Sequence, residues 1–115
     1  MRRPYDSACP VARTLNVIGE RWSVLILREL FLHGERRFQD LRAGLTAIPP
    51  TTLSARLKGL EADGVLSRES YSDHPPRMVY RLTPKGRALG PVLLAMKDWG
   101  ERFAAKTSQR QAKRG

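Results

Sequence analysis

Thr51-Thr52-Leu53-Ser54-Ala55-Arg56-Leu57-Lys58-Gly59-Leu60-Glu61-Ala62 carries apolar residues at Leu53, Leu57 and Leu60, which line one face of an α-helical period. Asp63-Gly64 ends the helix that this spacing predicts, glycine being suited to the left-handed position after a helix. Two strands are expected next, at about Val65–Tyr71 and Met78–Leu82, joined by Ser72-Asp73-His74-Pro75-Pro76-Arg77. An amphipathic helix followed by a basic-tipped hairpin is the plan of a winged helix-turn-helix. The helix would enter the major groove of DNA, and the hairpin would touch the backbone beside it.

At about 100° per residue the three leucines centre the buried side of this helix. Thr51, Ala55, Lys58 and Ala62 then lie opposite, with Thr52, Ser54 and Gly59 on the flanks. Small side chains permit close approach to the bases, hydroxyls reach phosphate or base edges, and alanine or a threonine methyl meets a thymine methyl. At the hairpin tip, Arg77 is suited to the negative potential of a narrow minor groove, with His74 beside it. Arg36, Arg37 and Arg42 add expected phosphate contacts, and Gln39 and Pro50, at the starts of the two helices of the motif, complete the contact set.

Outward from this motif the chain reads as mainly helical with a small β-hairpin wing, an α+β arrangement in one domain. Cys9-Pro10 opens a first helix that stops at Gly19, since proline suits the first helical position. A second helix, at about Glu20 to Leu32, has apolar residues nearly all round and is expected at the centre of the domain. Arg36-Arg37-Phe38 forms a short strand or the lead into a third helix, Gln39 to about Leu45. Thr83-Pro84 starts a last helix bearing Leu89, Val92, Leu93, Met96, Trp99 and Phe103, with Gly90-Pro91 as a candidate kink. That stripe is longer than one small domain needs to cover its core. Pairing with the same helix of a second copy would bury Met96, Trp99 and Phe103. Residues 1–8 read as a flexible arm, 9–104 as the DNA-binding and dimerisation domain, and 105–115 as a disordered basic tail.

The charge balance agrees with a polyanionic partner. Across 115 residues, 21 Lys+Arg face 11 Asp+Glu for a formal net charge of +10. Sixteen of the cations are arginine, whose planar fork matches phosphate and guanine. A GC-rich genome also favours arginine, and charge alone says nothing about sequence specificity. No apolar run reaches membrane-spanning length and no secretory signal is present, so a cytoplasmic protein is expected, with no membrane partner. The single cysteine excludes an intrachain disulfide. Two histidines 41 positions apart offer no zinc spacing, and there is no phosphate-binding glycine loop and no nucleophile with its base. Neither an enzyme nor a cofactor or metal requirement is expected. A non-specific architectural DNA binder, or an adaptor that kept the fold and lost DNA binding, are the alternatives to a sequence-specific regulator.

Cys9 has two readings. A lone thiol is most often a small buried apolar side chain. Its place at a helix N-terminus, with Arg13 one turn on, instead favours a reactive thiolate open to oxidation or alkylation.

These residues together resemble the HxlR-type bacterial transcriptional regulators, winged helix-turn-helix dimers related to the MarR group. The likeness runs through Cys9-Pro10-Val11 with Arg13 and Leu15, Ile18-Gly19, Trp22 and Leu25-Ile26-Leu27-Arg28-Glu29-Leu30. It continues in Arg37-Phe38, Leu41, Ile48-Pro49, Thr52-Leu53-Ser54, Arg56-Leu57, Leu60-Glu61 and Gly64, and ends in Pro76-Arg77, Tyr80, Leu82-Thr83 and Lys85-Gly86. It spans about Cys9 to Phe103. Two departures are Arg21 before Trp22, where lysine is usual, and Pro50-Thr51, where serine or a basic residue is common. The resemblance implies a homodimer built by the first and last helices, with Leu15 joining Leu89, Val92, Leu93, Met96, Trp99 and Phe103 at the interface. It further implies an inverted-repeat operator, repression or activation of nearby genes, and, as in several relatives, sensing of electrophiles or oxidants through the cysteine matching Cys9.

Overall fold

Leu53, Leu57 and Leu60 are at most 2% exposed, and they form one core with Ile26, Leu27 and Leu30 of the preceding long helix. Leu41, Leu45, Ile48, Val65 and Leu66 complete it. The computed structural model describes residues 8–73 and 76–104. In chain order the elements are α1 (Pro10–Ile18), α2 (Arg21–His33), β1 (Arg36–Arg37), α3 (Phe38–Gly44), α4 (Pro50–Ala62), β2 (Leu66–Asp73), β3 (Pro76–Leu82), α5 (Pro84–Arg87) and α6 (Gly90–Phe103). The strands form one antiparallel sheet in the order β1-β3-β2.

Four expectations are corrected by this arrangement. Arg36 and Arg37 pair with Tyr80 and Val79, so the two-stranded hairpin becomes a three-stranded sheet. The hairpin ladder is longer than expected: Ser72 pairs with Arg77 and Asp73 with Pro76, and the irregularity between Ser70 and Ser72 absorbs the register shift at Tyr71. Arg77 therefore stands in a strand, not in a loop. Glu20 lies outside α2, where its carboxylate caps the helix by accepting the amides of Trp22 (2.9 Å) and Ser23 (3.0 Å). The apolar run of α2 is central as expected, but its end is not covered, since Leu32 is 64% exposed and Arg28 faces solvent. Within its buried side it carries one carboxylate, Glu29, paired with Arg28 Nη2 at 3.0 Å.

The last helix is the fourth correction. It is two helices, because Pro91 has no amide to continue the bonding of α5 and Gly90 packs against Phe31. The short α5 is pressed against the start of β2. Thr83 Oγ1 accepts the amide of Gly86 and donates to the carbonyl of Gly64, while the Thr83 amide reaches the carbonyl of Val65 at 3.2 Å. Lys85 Nζ donates to the carbonyl of Asp63 at 2.8 Å. The turn that ends α4, with Gly64 at φ +78°, is thus held from the far side of the sheet. Residues 1–7 of the expected arm and 105–115 of the expected tail lie outside the described residues.

Candidate functional site

The α4 helix begins at Pro49-Pro50, with Pro50 in the first turn and no side chain capping the end. Leu53 is the first residue whose amide finds an intrahelical carbonyl, that of Pro49 at 3.0 Å. The amides of Thr51 and Thr52 therefore point out of the helix start, where an anion such as a phosphate is favoured. The turn into α4 is anchored by Leu45 and Ile48, both buried, and Ala47 between them takes φ +81°. Such a conformation costs a non-glycine residue about 1–2 kcal/mol, which the two buried neighbours offset.

With the leucine face in the core, Thr51, Ala55, Lys58, Gly59 and Ala62 are exposed or nearly so at the helix surface, and Thr52 and Ser54 lie half-buried on the flanks. The small, polar, singly cationic face expected from the sequence is therefore the face that α4 presents. Pro50 and Gln39 are exposed at its edge. Lys58 and Arg42 are exposed and pair with no acid among the described residues.

The arginines of β1 are differently placed. The fork of Arg37 is occupied by Asp40, which accepts Nε at 3.1 Å, Nη2 at 3.2 Å and the Arg37 amide at 3.1 Å. Hydrogen bonding from Arg37 holds the Asp40 carboxyl below the ordinary carboxylate range, and the same pair, helped by Tyr71, holds the guanidinium of Arg37 above its ordinary value. This pair uses Nε and one donor of Nη2, so the Nη1 side of the exposed Arg37 can still meet a phosphate. Arg36 is half-buried, with Nε enclosed and without a hydrogen-bond partner. Sequence reasoning missed Asp40, although the i,i+3 spacing to Arg37 is visible in the chain.

On the wing, Arg77 is exposed, and His74 lies outside the described residues. Arg81 holds the sheet together through Glu35 and Glu69, both at 2.8 Å, while Arg68 approaches Glu61 of α4 at 3.8 Å. Burial raises the Tyr80 phenol above its ordinary value. These pairs consume acids near the motif and leave Lys58, Arg42 and Arg77 as outward cations.

Of the two readings of Cys9, the structure presents an exposed thiol. It sits at the N-cap of α1 and its side chain makes no capping bond; its carbonyl accepts the amide of Arg13 at 2.9 Å.

The apolar stripe of α6 divides between two environments. Leu89 and Leu93, expected at an interface, are packed against the core of their own chain. Val92 (36%), Met96 (49%), Trp99 (61%) and Phe103 (64%) remain exposed, as do Val11 (69%) and Leu15 (40%) on α1. Among the described residues no helix is long and apolar enough to cross a membrane, and no group of three or more His, Cys, Asp or Glu could hold a metal.

Comparison with known proteins agrees with this geometry. The family described as HxlR-like helix-turn-helix matches residues 17–108. The chain is 42% identical over 106 residues to the HTH-type transcriptional regulator YdeP of Bacillus subtilis (strain 168), covering 92% of this chain and 82% of that protein. The structure of the redox regulator HypR in its reduced form superposes with a TM-score of 0.74 at 41% identity, over 82% of this chain and 92% of that one. The reduced transcriptional regulator YodB from B. subtilis gives 0.71 at 32% identity, over 83% and 93%. A mainly helical chain with an outward face on α4, a three-stranded wing and these relatives is a helix-turn-helix transcriptional regulator, and it belongs to the HxlR family.

Proposed function

We propose that the protein acts in the cytoplasm as a homodimer that binds an inverted-repeat operator in double-stranded DNA and regulates adjacent genes. The observation that carries this reading is the outward Thr51–Ala55–Lys58–Ala62 face of α4, set against three core leucines, with Arg77 exposed on the wing. Thr51, Thr52 and Ser54 would meet phosphate or base edges, Ala55 a thymine methyl, and Lys58, Arg36 and Arg77 the backbone or minor groove, with Pro50, Gln39 and His74 at the margins. The working unit is residues 9–104, with 1–8 as an N-terminal arm and 105–115 as a basic tail. A two-fold dimer through α1 and α6 would set two reading helices about one DNA turn apart, roughly 34 Å.

The test uses DNA from the intergenic region beside the gene. The wild-type chain should prefer it over random DNA at physiological salt, and Lys58→Glu with Arg77→Glu should weaken operator binding about tenfold to a hundredfold. The salt slope should become shallower by about one unit for each phosphate that is no longer neutralised. Equal affinity for both DNAs with a steep salt slope would instead identify an architectural binder.

Cys9 is the proposed site of an oxidant or electrophile response. Its exposure at the N-cap of α1 supports this reading, as does the likeness to a redox regulator. Cys9→Ser should keep operator affinity within about twofold, and diamide or a quinone should no longer change it. A response that survives in Cys9→Ser places the sensor elsewhere.

A further inference from the structure

The wing leaves the body of the domain along β2. Leu66, at its start, is 2% exposed, and residues 67–71 beyond it are half-buried or exposed. Residues paired across an antiparallel sheet share a face, as do residues two apart on one strand. Leu66, Arg68 and its partner Tyr80 therefore stand on one face of the wing. There Arg68 Nε meets Oε2 of Glu61, the penultimate residue of α4, at 3.8 Å, and the Tyr80 phenol lies beside the Arg68 guanidinium. This is the first tie between wing and α4 past the buried base.

The opposite face carries a second tie. Glu69, Val79 and Arg37 form a row across the three strands, and Tyr71 is two residues on from Glu69. Arg37 holds Asp40 of α3 through Nε at 3.1 Å and Nη2 at 3.2 Å, and the Tyr71 phenol lies beside the same guanidinium. So β2 is linked to α4 on one face and to α3 on the other.

Exposed pairs of this kind add little to global stability, because water screens them and two long side chains must be ordered. What they set is an angle. Beyond Val79 the sheet has only β2 and β3, and two-stranded ribbons twist more than wider sheets. Arg77 stands three residues past Tyr80, about 10 Å along β3. A tilt of about 15° at the Arg68–Tyr80 row would move it by roughly 2.5 Å, more than a hydrogen bond to phosphate tolerates.

We infer that Glu61 with Arg68, and Tyr71 with Arg37, are positioning residues for DNA recognition: they clamp the wing from opposite faces and fix Arg77 relative to the outward face of α4. The consequence for DNA rests on the function proposed above; the clamp does not. Glu61 separates position from charge. A carboxylate beside a DNA-binding helix repels phosphate, so charge alone makes its removal tighten binding. Loss of a clamp weakens it.

The test uses Glu61→Gln and Tyr71→Phe in the full chain, each alone and combined with Arg77→Ala. In the free protein, NMR relaxation should find the amides of Arg77, Met78 and Val79 ordered in the wild type and more mobile in either variant. Melting temperatures should stay within about 4 °C of wild type, since only exposed ties are cut. On the intergenic DNA each variant should bind about fivefold to tenfold more weakly, as the Arg77 contact is misplaced. In the Arg77→Ala background the same changes should cost less than about twofold, because the contact they misplace is gone. Wing amides as ordered in both variants as in the wild type overturn the clamp, whether or not DNA binds. Glu61→Gln binding as tightly as wild type, or more tightly, overturns the positioning role, as does a loss that persists undiminished with Arg77→Ala. A wing that loosens as described in a chain without operator preference supports the clamp and defeats the DNA reading alone.

Discussion

Gly86→Ala is expected to destabilise the protein by at least about 3 kcal/mol, the upper end of what overpacking costs. A Cβ at this position would lie 1.9 Å from the carbonyl oxygen of Val65 and 2.9 Å from its carbonyl carbon. These are backbone atoms and cannot rotate away. They are held in turn, because the same Val65 oxygen accepts the Thr83 amide and the Val65 amide reaches the carbonyl of Leu60 at 3.1 Å. Relief therefore requires α5 to lift from β2, breaking the bonds from Thr83 to Gly64 and from Lys85 to Asp63. For a domain near this size, about 3 kcal/mol lowers the melting temperature by roughly 10–20 °C. Gly59→Ala is the matched control. Nothing lies within 4 Å of a Cβ there, and the residue sits inside an exposed helical turn. Alanine should raise stability by about 0.5–1 kcal/mol through helix propensity. Thermal and urea unfolding of the two variants read out opposite signs from the same chemical change. A Gly86→Ala protein that melts with the wild type would mean that α5 does not bear on β2 as described.

The divide between these glycines explains what could be read from the chain and what could not. Features governed by local rules were legible: the Leu53–Leu57–Leu60 period, the start at Pro50, the left-handed Gly64 and the Thr83-Pro84 cap. Each depends on residues within one or two turns of one another. Gly86 depends on Val65, which is 21 positions away, and no local pattern announces an approach of that kind. For β1, two residues long, the chain left a short strand and a helix lead both open, and pairing with Val79 and Tyr80 decides between them. Glu29 is a carboxylate on the buried side of an apolar helix, and it packs so closely on Gly44 that a Cβ there would overlap its Oε1. Charged face and core face cannot be told apart there by composition. In the reading site, the outward residues of α4 followed from helical geometry alone. The state of Arg37 did not, because a free cation and one locked on Asp40 have the same sequence. Cys9 stayed open between two readings for a related reason: whether a helix start is covered is decided by elements far along the chain.

Trp99→Glu is expected to reduce the protein to a monomer at concentrations where the wild-type chain is dimeric. The stripe of α6 reads as one surface in the sequence, yet it divides between the chain's own core and solvent. Leu89 and Leu93 fill the core of their own chain, while Val92, Met96, Trp99 and Phe103 face outward. Trp99 and Phe103 pack against each other, tilted by 45° with ring centroids 5.5 Å apart, and Arg102 lies over the Phe103 ring at 5.3 Å. The pair is preassembled, so covering it orders little that is still free. Trp99 is 61% exposed and Phe103 64%. Burying the remainder contributes roughly 1–2 kcal/mol per side chain, and a two-fold axis counts each residue twice. Loss of Trp99 alone therefore weakens dimerisation by roughly 30-fold to 1,000-fold, and a carboxylate in its place adds a desolvation cost. Leu94→Glu is the comparison, since Leu94 is 67% exposed on the same helix but points away from Val92, Met96 and Trp99. Sedimentation equilibrium should find Leu94→Glu dimeric and Trp99→Glu monomeric, with the melting temperature of the monomeric unit little changed because Trp99 lies outside the core. Operator affinity should fall with the dimer, because one subunit reaches only one half-site. If Trp99→Glu stayed dimeric and bound the operator as tightly as wild type, the α6 stripe would not be the dimer interface and the spacing of the two reading helices would have to come from another surface.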